Sequence, residues 1–291
     1  MRVCPACSAS PCAHDWTCPA CRHQPERRED IVYFAPAFSD GDGGDATYRH
    51  EELVAAEDSH FWFRARAKLL VWALERHFPT MRSLLDVGCG RGAVLAAMRR
   101  RFPQASLAGS ELLDVPLRVA RSRLPGVDLY QMDARRLPFD REFDVVTSCD
   151  VLEHLDDDRG VARQLFRAVV PGGGVIVTVP QHRWLWSAVD IYSHHRRRYE
   201  RQELAGVIEQ AGFVVERATS FVTALLPLVL LSRRRQHQLT AAFDPTAELR
   251  IGRVANKVCE NVLDLERWMI RAGVSLPIGS SLLVVARRPG A

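Results

Sequence analysis

Three acids and three glycines in the middle of the chain have the types and spacing to hold a charged nucleoside. The apolar Leu84 and Leu85 lead into Asp86, and Gly88, Gly90 and Gly92 follow before the helical run Ala93-Val-Leu-Ala-Ala-Met-Arg-Arg. Glycines at this spacing let the backbone turn sharply at the end of a strand and let a ligand approach the main chain. The helix that follows aims free N–H groups at the same place. Gly88-x-Gly90-x-x-Ala93 also satisfies the looser dinucleotide fingerprint, so the neighbouring acids have to decide. The Asp86 carboxylate would repel a pyrophosphate and welcome an ammonium group. Glu111, closing the strand Ser106-Leu-Ala-Gly-Ser-Glu, is placed to accept both hydroxyls of a ribose, and Asp133, after Asp128-Leu-Tyr-Gln-Met, to hold an exocyclic amine of adenine.

A second cluster follows the apolar run Gly173-Gly-Val-Ile-Val-Thr-Val-Pro180, which reads as a strand. Gln181-His-Arg-Trp-Leu-Trp186 carries His182, Trp184 and Trp186 to the carboxyl ends of the strands, where open α/β sheets bind ligands. Asp190-Ile-Tyr-Ser-His-His-Arg-Arg-Arg-Tyr199 then packs an acid, two histidines, three arginines and two tyrosines into one short loop. A solvated basic face would account for the arginines alone. A hydroxyl nucleophile needs its proton removed, and histidine titrates in the right range. His195 oriented by Asp190 is the first choice of base and His182 the second, with Arg197 or Arg198 left to hold an anionic part of a substrate or to fix the loop by ion pairs.

Near the start, Cys4-Pro-Ala-Cys7 and Cys18-Pro-Ala-Cys21 form two knuckles. Two tight turns of this kind can present four thiolates tetrahedrally to one structural zinc ion. Cys12 and His14, between the knuckles, could replace one of these ligands, but read first as loop residues. Cys89 and Cys149 read as small packing residues, since no basic partner stands beside either in the sequence.

At this point the chain resembles the class I S-adenosylmethionine-dependent methyltransferases. The resemblance rests on six blocks in order: Asp86-Val-Gly-Cys-Gly-Arg-Gly92, Glu111, Asp133-Ala-Arg-Arg-Leu-Pro-Phe139, Phe143-Asp-Val-Val146, Val151-Leu-Glu-His-Leu155 and Val170-Pro-Gly-Gly-Gly-Val175. It implies a Rossmann-like, seven-stranded α/β sheet whose last strand runs antiparallel, with S-adenosylmethionine held by Asp86, Gly88, Gly90, Gly92, Glu111, Asp133, Ala134 and Asp150. The segment His60-Phe-Trp-Phe-Arg-Ala-Arg66 is similar to a cofactor-covering helix of bacterial members. Arg66, or Arg64, would then pair with the cofactor carboxylate while Trp62 packs nearby, although the same aromatics could simply anchor a helix to the core. The resemblance also implies that Val151–Leu155 floors the active site, making Glu153 and His154 functional candidates. An Asp-x4-His-x-Arg-Arg-Tyr pattern, recurring in small-molecule methyltransferases, matches Asp190, His195, Arg197, Arg198 and Tyr199. Tyr199 thus joins His195, Asp190 and His182 as a catalytic candidate, and Trp184, Trp186, Tyr192, Arg197, Arg198 and His154 are expected to face the acceptor.

The rest of the chain must position these groups. It has 291 residues, 47% hydrophobic and 25% charged, enough to bury a large core without covalent staples. Net charge is only +4, and Lys68 and Lys257 are its only lysines, which argues against a dedicated nucleic-acid surface. The first residues lack an apolar leader core, and the longest apolar run, Phe221–Leu231, is too short to span a bilayer, so a cytoplasmic protein with reduced cysteines is expected. The composition divides the chain into a zinc-ribbon-like module (1–38), a linker with an N-terminal helical cap (39–79), the cofactor-binding core (80–220), an apolar helical insertion (221–275) and the last strand (276–291). Helical periodicity runs from Glu51 to about His77, with Pro79 as its stop. Three uses compete for the apolar run: a lid over the acceptor pocket, a homodimer surface, or a shallow peripheral membrane contact.

The expected activity is methyl transfer to oxygen or carbon of a metabolite, sugar or lipid-linked small molecule. Two alternatives stand beside it: a zinc-containing ribosomal RNA guanine-N1 methyltransferase, and a non-catalytic module that recruits a partner through its zinc ribbon.

Overall fold

The computed structural model describes residues 1–10, 12, 15–38, 50–235 and 249–290. The linker expected at Ser39–Asp45 and the loop residue His14 lie outside these.

Among the described residues nine strands form one sheet: β1 Glu26–Arg28, β2 Ile31–Tyr33, β3 Ser83–Val87, β4 Ser106–Glu111, β5 Asp128–Gln131, β6 Phe143–Cys149, β7 Val169–Pro180, β8 Val214–Phe221 and β9 Ser281–Arg287. Their order is β1-β2-β5-β4-β3-β6-β7-β9-β8. The central strands are parallel, and β9 runs antiparallel between β7 and β8, as the resemblance implies. Consecutive residues feed opposite faces: Leu84 and Val145 enter one hydrophobic cluster, Leu85 and Val146 the other. Strands covered on both faces have no polar side to show, hence their near-continuous apolar sequences. The chain leaves β3 toward β4 on one side and returns to place β6 on the other, so the ligand crevice opens at the carboxyl ends of these two strands.

The helices are α1 His50–Ser59, α2 Phe61–His77, α3 Ala93–Arg101, α4 Asp114–Arg123, α5 Asp158–Ala168, α6 Ala188–Tyr192, α7 Arg201–Gln210, α8 Leu226–Arg235 and α9 Arg253–Arg271. Leu69 and Leu70 of α2 share a core cluster with Leu263 and Ile270 of α9. The single helix expected from 51 to 77 is two. His60 interrupts it in extended conformation, and its ring accepts the Trp62 N–H, which starts α2 afresh.

Residues 1–38, expected as a module beside the core, share its sheet. Strand β2 pairs in parallel with β5, matching Ile31 to Leu129 and Tyr33 to Gln131. Trp16, 1% exposed, meets Phe34, Tyr130 and Phe139 edge-on at centroid distances of 4.7, 5.8 and 5.5 Å. The seven strands expected are β3–β9, and two short strands of the N-terminal segment continue that sheet at its β5 edge.

Candidate active site

The turn after β3 is built by glycines in left-handed conformation. A Cβ on Gly88 would lie 2.2 Å from Val151, so this residue fixes the turn against the segment after β6. Gly90 has nothing within 4 Å of that position and is where a ligand can come close to the backbone. Its N–H donates to Glu111 Oε2 at 3.1 Å, while Glu111 Oε1 accepts from Leu112 and Leu113 at 2.8 and 3.2 Å. The acid at the end of β4 thus holds the turn after β3. Burial raises the pKa of the Glu111 carboxyl. Asp86, 2% exposed, accepts from Thr147 Oγ1 at 2.6 Å, and burial pushes it up to about 6. A buried acid and a half-buried one, both with raised pKa values, flank one turn, an arrangement that favours a cationic ligand.

Asp133 takes a double hydrogen bond from Arg135, at 2.8 Å from Nε and 2.6 Å from the terminal nitrogen, and the Arg135 N–H at 2.9 Å. Burial works against its ionisation, but Arg135 prevails and holds its carboxyl below the ordinary range. Ala134 is partly buried against the core. Arg66 stacks on Trp62, 4.4 Å from the ring centroid, and its guanidinium is paired with Asp150, a residue at positive φ just beyond β6. The resemblance implies that both face the cofactor; in the structure they pair with one another.

A second corner forms around Asp190, which has no exposed surface. It accepts the Ser187 N–H at 2.9 Å within a capping box that starts α6, His195 Nδ1 at 3.0 Å and Arg198 Nε at 2.8 Å. Arg233 of α8 stands 3.7 Å from it and donates to Ser187 Oγ at 2.6 Å. Burial opposes the charge on Asp190, but His195 and Arg198 outweigh it and hold the carboxyl down at about 2. His195 Nε2 lies 3.9 Å from Glu153 Oε1, and its ring meets that of His154 edge-on at 4.8 Å. Burial, and then the His195 ring, depress His154 to about 4. Beside these groups opens a cavity of about 930 Å³ lined by Trp186, Ile191, His194, His195, Arg183 and Arg196. Tyr192, half-buried, closes α6.

Several expected site residues are engaged elsewhere. The Tyr199 hydroxyl donates to Asp158 at 2.7 Å and the side chain is 2% exposed, so it braces α5 and has no open face for chemistry. His182 pairs through Nδ1 with Glu200 at 2.9 Å, not with Asp190, and stacks on the half-exposed Trp184. Arg197 is held by Asp158 at 3.1 Å and by the Asp156 carbonyl at 3.0 Å, and Arg198 by Asp190 and the Gln181 carbonyl. These ion pairs fix the loop, and both arginines also line the cavity, where they could still meet an anionic part of an acceptor. Cys89 and Cys149 are buried, and burial raises both thiols well above their usual range, as packing residues require. In the sequence Arg233 belongs only to the basic stretch after the apolar run, suited to lipid headgroups in the membrane reading; its contact with Asp190 has no signal there.

The four N-terminal cysteines converge. Cys4 and Cys21 Sγ lie 3.6 Å apart, as do Cys7 and Cys18, and all four sulfurs lie within 4.8 Å of one another. Tetrahedral zinc at its usual sulfur distance needs sulfurs about 3.8 Å apart. Backbone N–H groups of Cys21 and Ala20 lower the buried Cys18 thiol to about 6 against its burial, the polarity a thiolate ligand calls for. The residues fit a structural zinc with no open position.

Residues 54–218 match the family described as "Methyltransferase domain", and the chain belongs to it. It is 30% identical over 165 residues, 55% of this chain and 62% of the relative, to a probable S-adenosylmethionine-dependent methyltransferase of Mycolicibacterium smegmatis. It is 37% identical over 113 residues, 37% of this chain and 48% of the relative, to the ubiquinone biosynthesis O-methyltransferase of Pseudomonas paraeruginosa. The chain thus spans about half to three-fifths of the length of these relatives. In fold it resembles an O-methyltransferase family protein from Burkholderia thailandensis, with a TM-score of 0.53 and 16% identity over 88% of this chain and 64% of that one.

Proposed function

We propose that the protein transfers a methyl group from S-adenosylmethionine to a small-molecule acceptor, with His195, oriented by Asp190, removing the acceptor's proton. The observation that carries this reading is the end of β6. Asp150 meets Arg66 on the cofactor side, and Glu153 and His154, a few residues on, meet His195 on the other. One short turn therefore joins the glycine-turn pocket to the 930 Å³ cavity. The cofactor supplies a sulfonium-activated methyl carbon. The chain's part is to align the acceptor with it and to take up a proton. With Nδ1 committed to Asp190, the His195 lone pair is on Nε2.

The four-thiolate set supports a structural zinc, and the reduced thiols that such a site needs agree with a cytoplasmic protein. Among the three uses of the apolar run, the Arg233 contacts favour the lid, because they tie α8 to the acceptor loop. Among the described residues no helix is long and apolar enough to cross a membrane.

The test is to feed methyl-labelled cofactor and extract to the protein and follow the label. It should enter the low-mass fraction, and His195→Ala should cut that transfer by about 10² or more while cofactor-product binding survives. Label appearing in RNA, with steeply salt-dependent binding, would replace this reading with the ribosomal RNA one.

A further inference from the structure

Glu153 is the anomaly of the acceptor corner. It has no exposed surface, and neither carboxylate oxygen has a hydrogen-bond partner. A buried carboxylate without donors is costly, and structures supply it with a proton, a pairing cation or a metal ion. The cations nearby are committed: Arg66 to Asp150, Arg198 to Asp190. What does stand close is imidazole. The ligand-capable atoms of Glu153, His154 and His195 all lie within 4.8 Å of one another. The Arg196 N–H donates to the Glu153 carbonyl at 2.7 Å and its Nε to the His154 carbonyl at 3.3 Å, so the two halves of the cluster are fastened together.

We propose that Glu153, His154 and His195 bind one divalent first-row cation at the acceptor end of the active site. Two imidazoles and a carboxylate suit borderline ions such as Mn²⁺, Co²⁺ or Zn²⁺. Asp190 on His195 Nδ1 at 3.0 Å is the carboxylate that commonly orients a ligating histidine and leaves Nε2 free for the ion. Three protein ligands leave positions open, which separates this site from the closed four-thiolate set. An acceptor with an oxygen donor would complete the coordination. The His195 lone pair would serve either a proton or the ion; with an ion bound, His195 would be a ligand, and the ion would lower the pKa of an acceptor hydroxyl so that its proton could pass to water. The inference rests on reading this corner as the acceptor end.

The experiment uses the full chain with its thiolates already loaded with zinc. Titration with Mn²⁺, followed by loss of the free-ion resonance signal, should show one additional ion per chain. Co²⁺ should add weak visible bands without the intense absorption of thiolate ligation. Glu153→Gln and His154→Asn should each weaken Mn²⁺ binding about tenfold or more, with cofactor-product binding by calorimetry reporting that the variants are folded. Mn²⁺ uptake that the two variants leave unchanged, or no uptake beyond the thiolates, overturns the proposal; Glu153 is then simply protonated. That outcome leaves the His195 base standing, whereas loss of cofactor binding in the unaltered protein would remove the proposed function itself.

Discussion

Arg66 and Asp150 pair with each other, linking α2 to the end of β6 beside the turn that the proposed function assigns to the cofactor. The guanidinium is fixed on its other face by Trp62, at 4.4 Å. A cofactor carboxylate approaching Arg66 therefore meets a side chain already oriented. Losing one charge-assisted hydrogen bond costs about 1.5–3 kcal/mol, so Arg66→Ala should weaken binding of the cofactor product by about tenfold to a hundredfold, measured by calorimetry. Unchanged affinity would assign Arg66 to the structure alone.

Asp86 gives the pocket a pH dependence. Burial raises its pKa from 3.8 to about 6, so the ligand-free fold favours the protonated acid. Stability of the ligand-free protein should then be fullest below about pH 4 as far as this group is concerned, and fall as pH rises through 6. The cofactor's ammonium prefers the ionised form, so binding should strengthen over the same interval, being about tenfold weaker at pH 5 than at pH 7.5. Calorimetry at the two pH values, with proton release from the buffer dependence of the heat, checks the sign; equal affinities contradict it.

The glycine turn separates folding from binding. Gly88→Ala puts a methyl 2.2 Å from Val151 and should destabilise the whole domain in thermal melts. Gly90→Ala faces open space and strains only the backbone, at about 1–2 kcal/mol, while placing the methyl where the ligand approaches. It should melt nearly as the parent does and bind cofactor poorly. The reverse pattern would mean that the ligand lies against another part of the turn.

The N-terminal segment should unfold with the core. Trp16→Ala removes a ring packed on Phe34, Tyr130 and Phe139 and should cost about 3–5 kcal/mol in denaturant titrations. Stripping zinc with a chelator should lower the single melting transition of the domain; a separate early transition would show an independent module.

Local periodicity and turn chemistry carried much of this into the sequence. The strand ending at Asp86, the glycines, the acids after β4 and β5, and the amphipathic α9 all follow from contacts within a few residues. Engagement over distance did not show. Nothing around Asp150 signals a partner 84 residues earlier, and nothing around Ile31 signals Leu129. His182 and Tyr199 have residue types suited to catalysis, yet their partners Glu200 and Asp158 are set by how α7 and α5 dock, which spacing alone does not encode. The break at His60 was hidden because histidine is a poor helix stop by propensity, and here acts through its ring as a cap.

The parallel pairing of β2 with β5 bears on how the protein can be trimmed. A shortened version starting after residue 38 would look, by composition, like a tidy catalytic core. It would instead leave the Leu129 strand with a bare hydrogen-bonding flank and uncover Tyr130 and Phe139, a ready template for chain-to-chain clumping. The N-terminal strands thus cover an edge that the core would otherwise present to other chains.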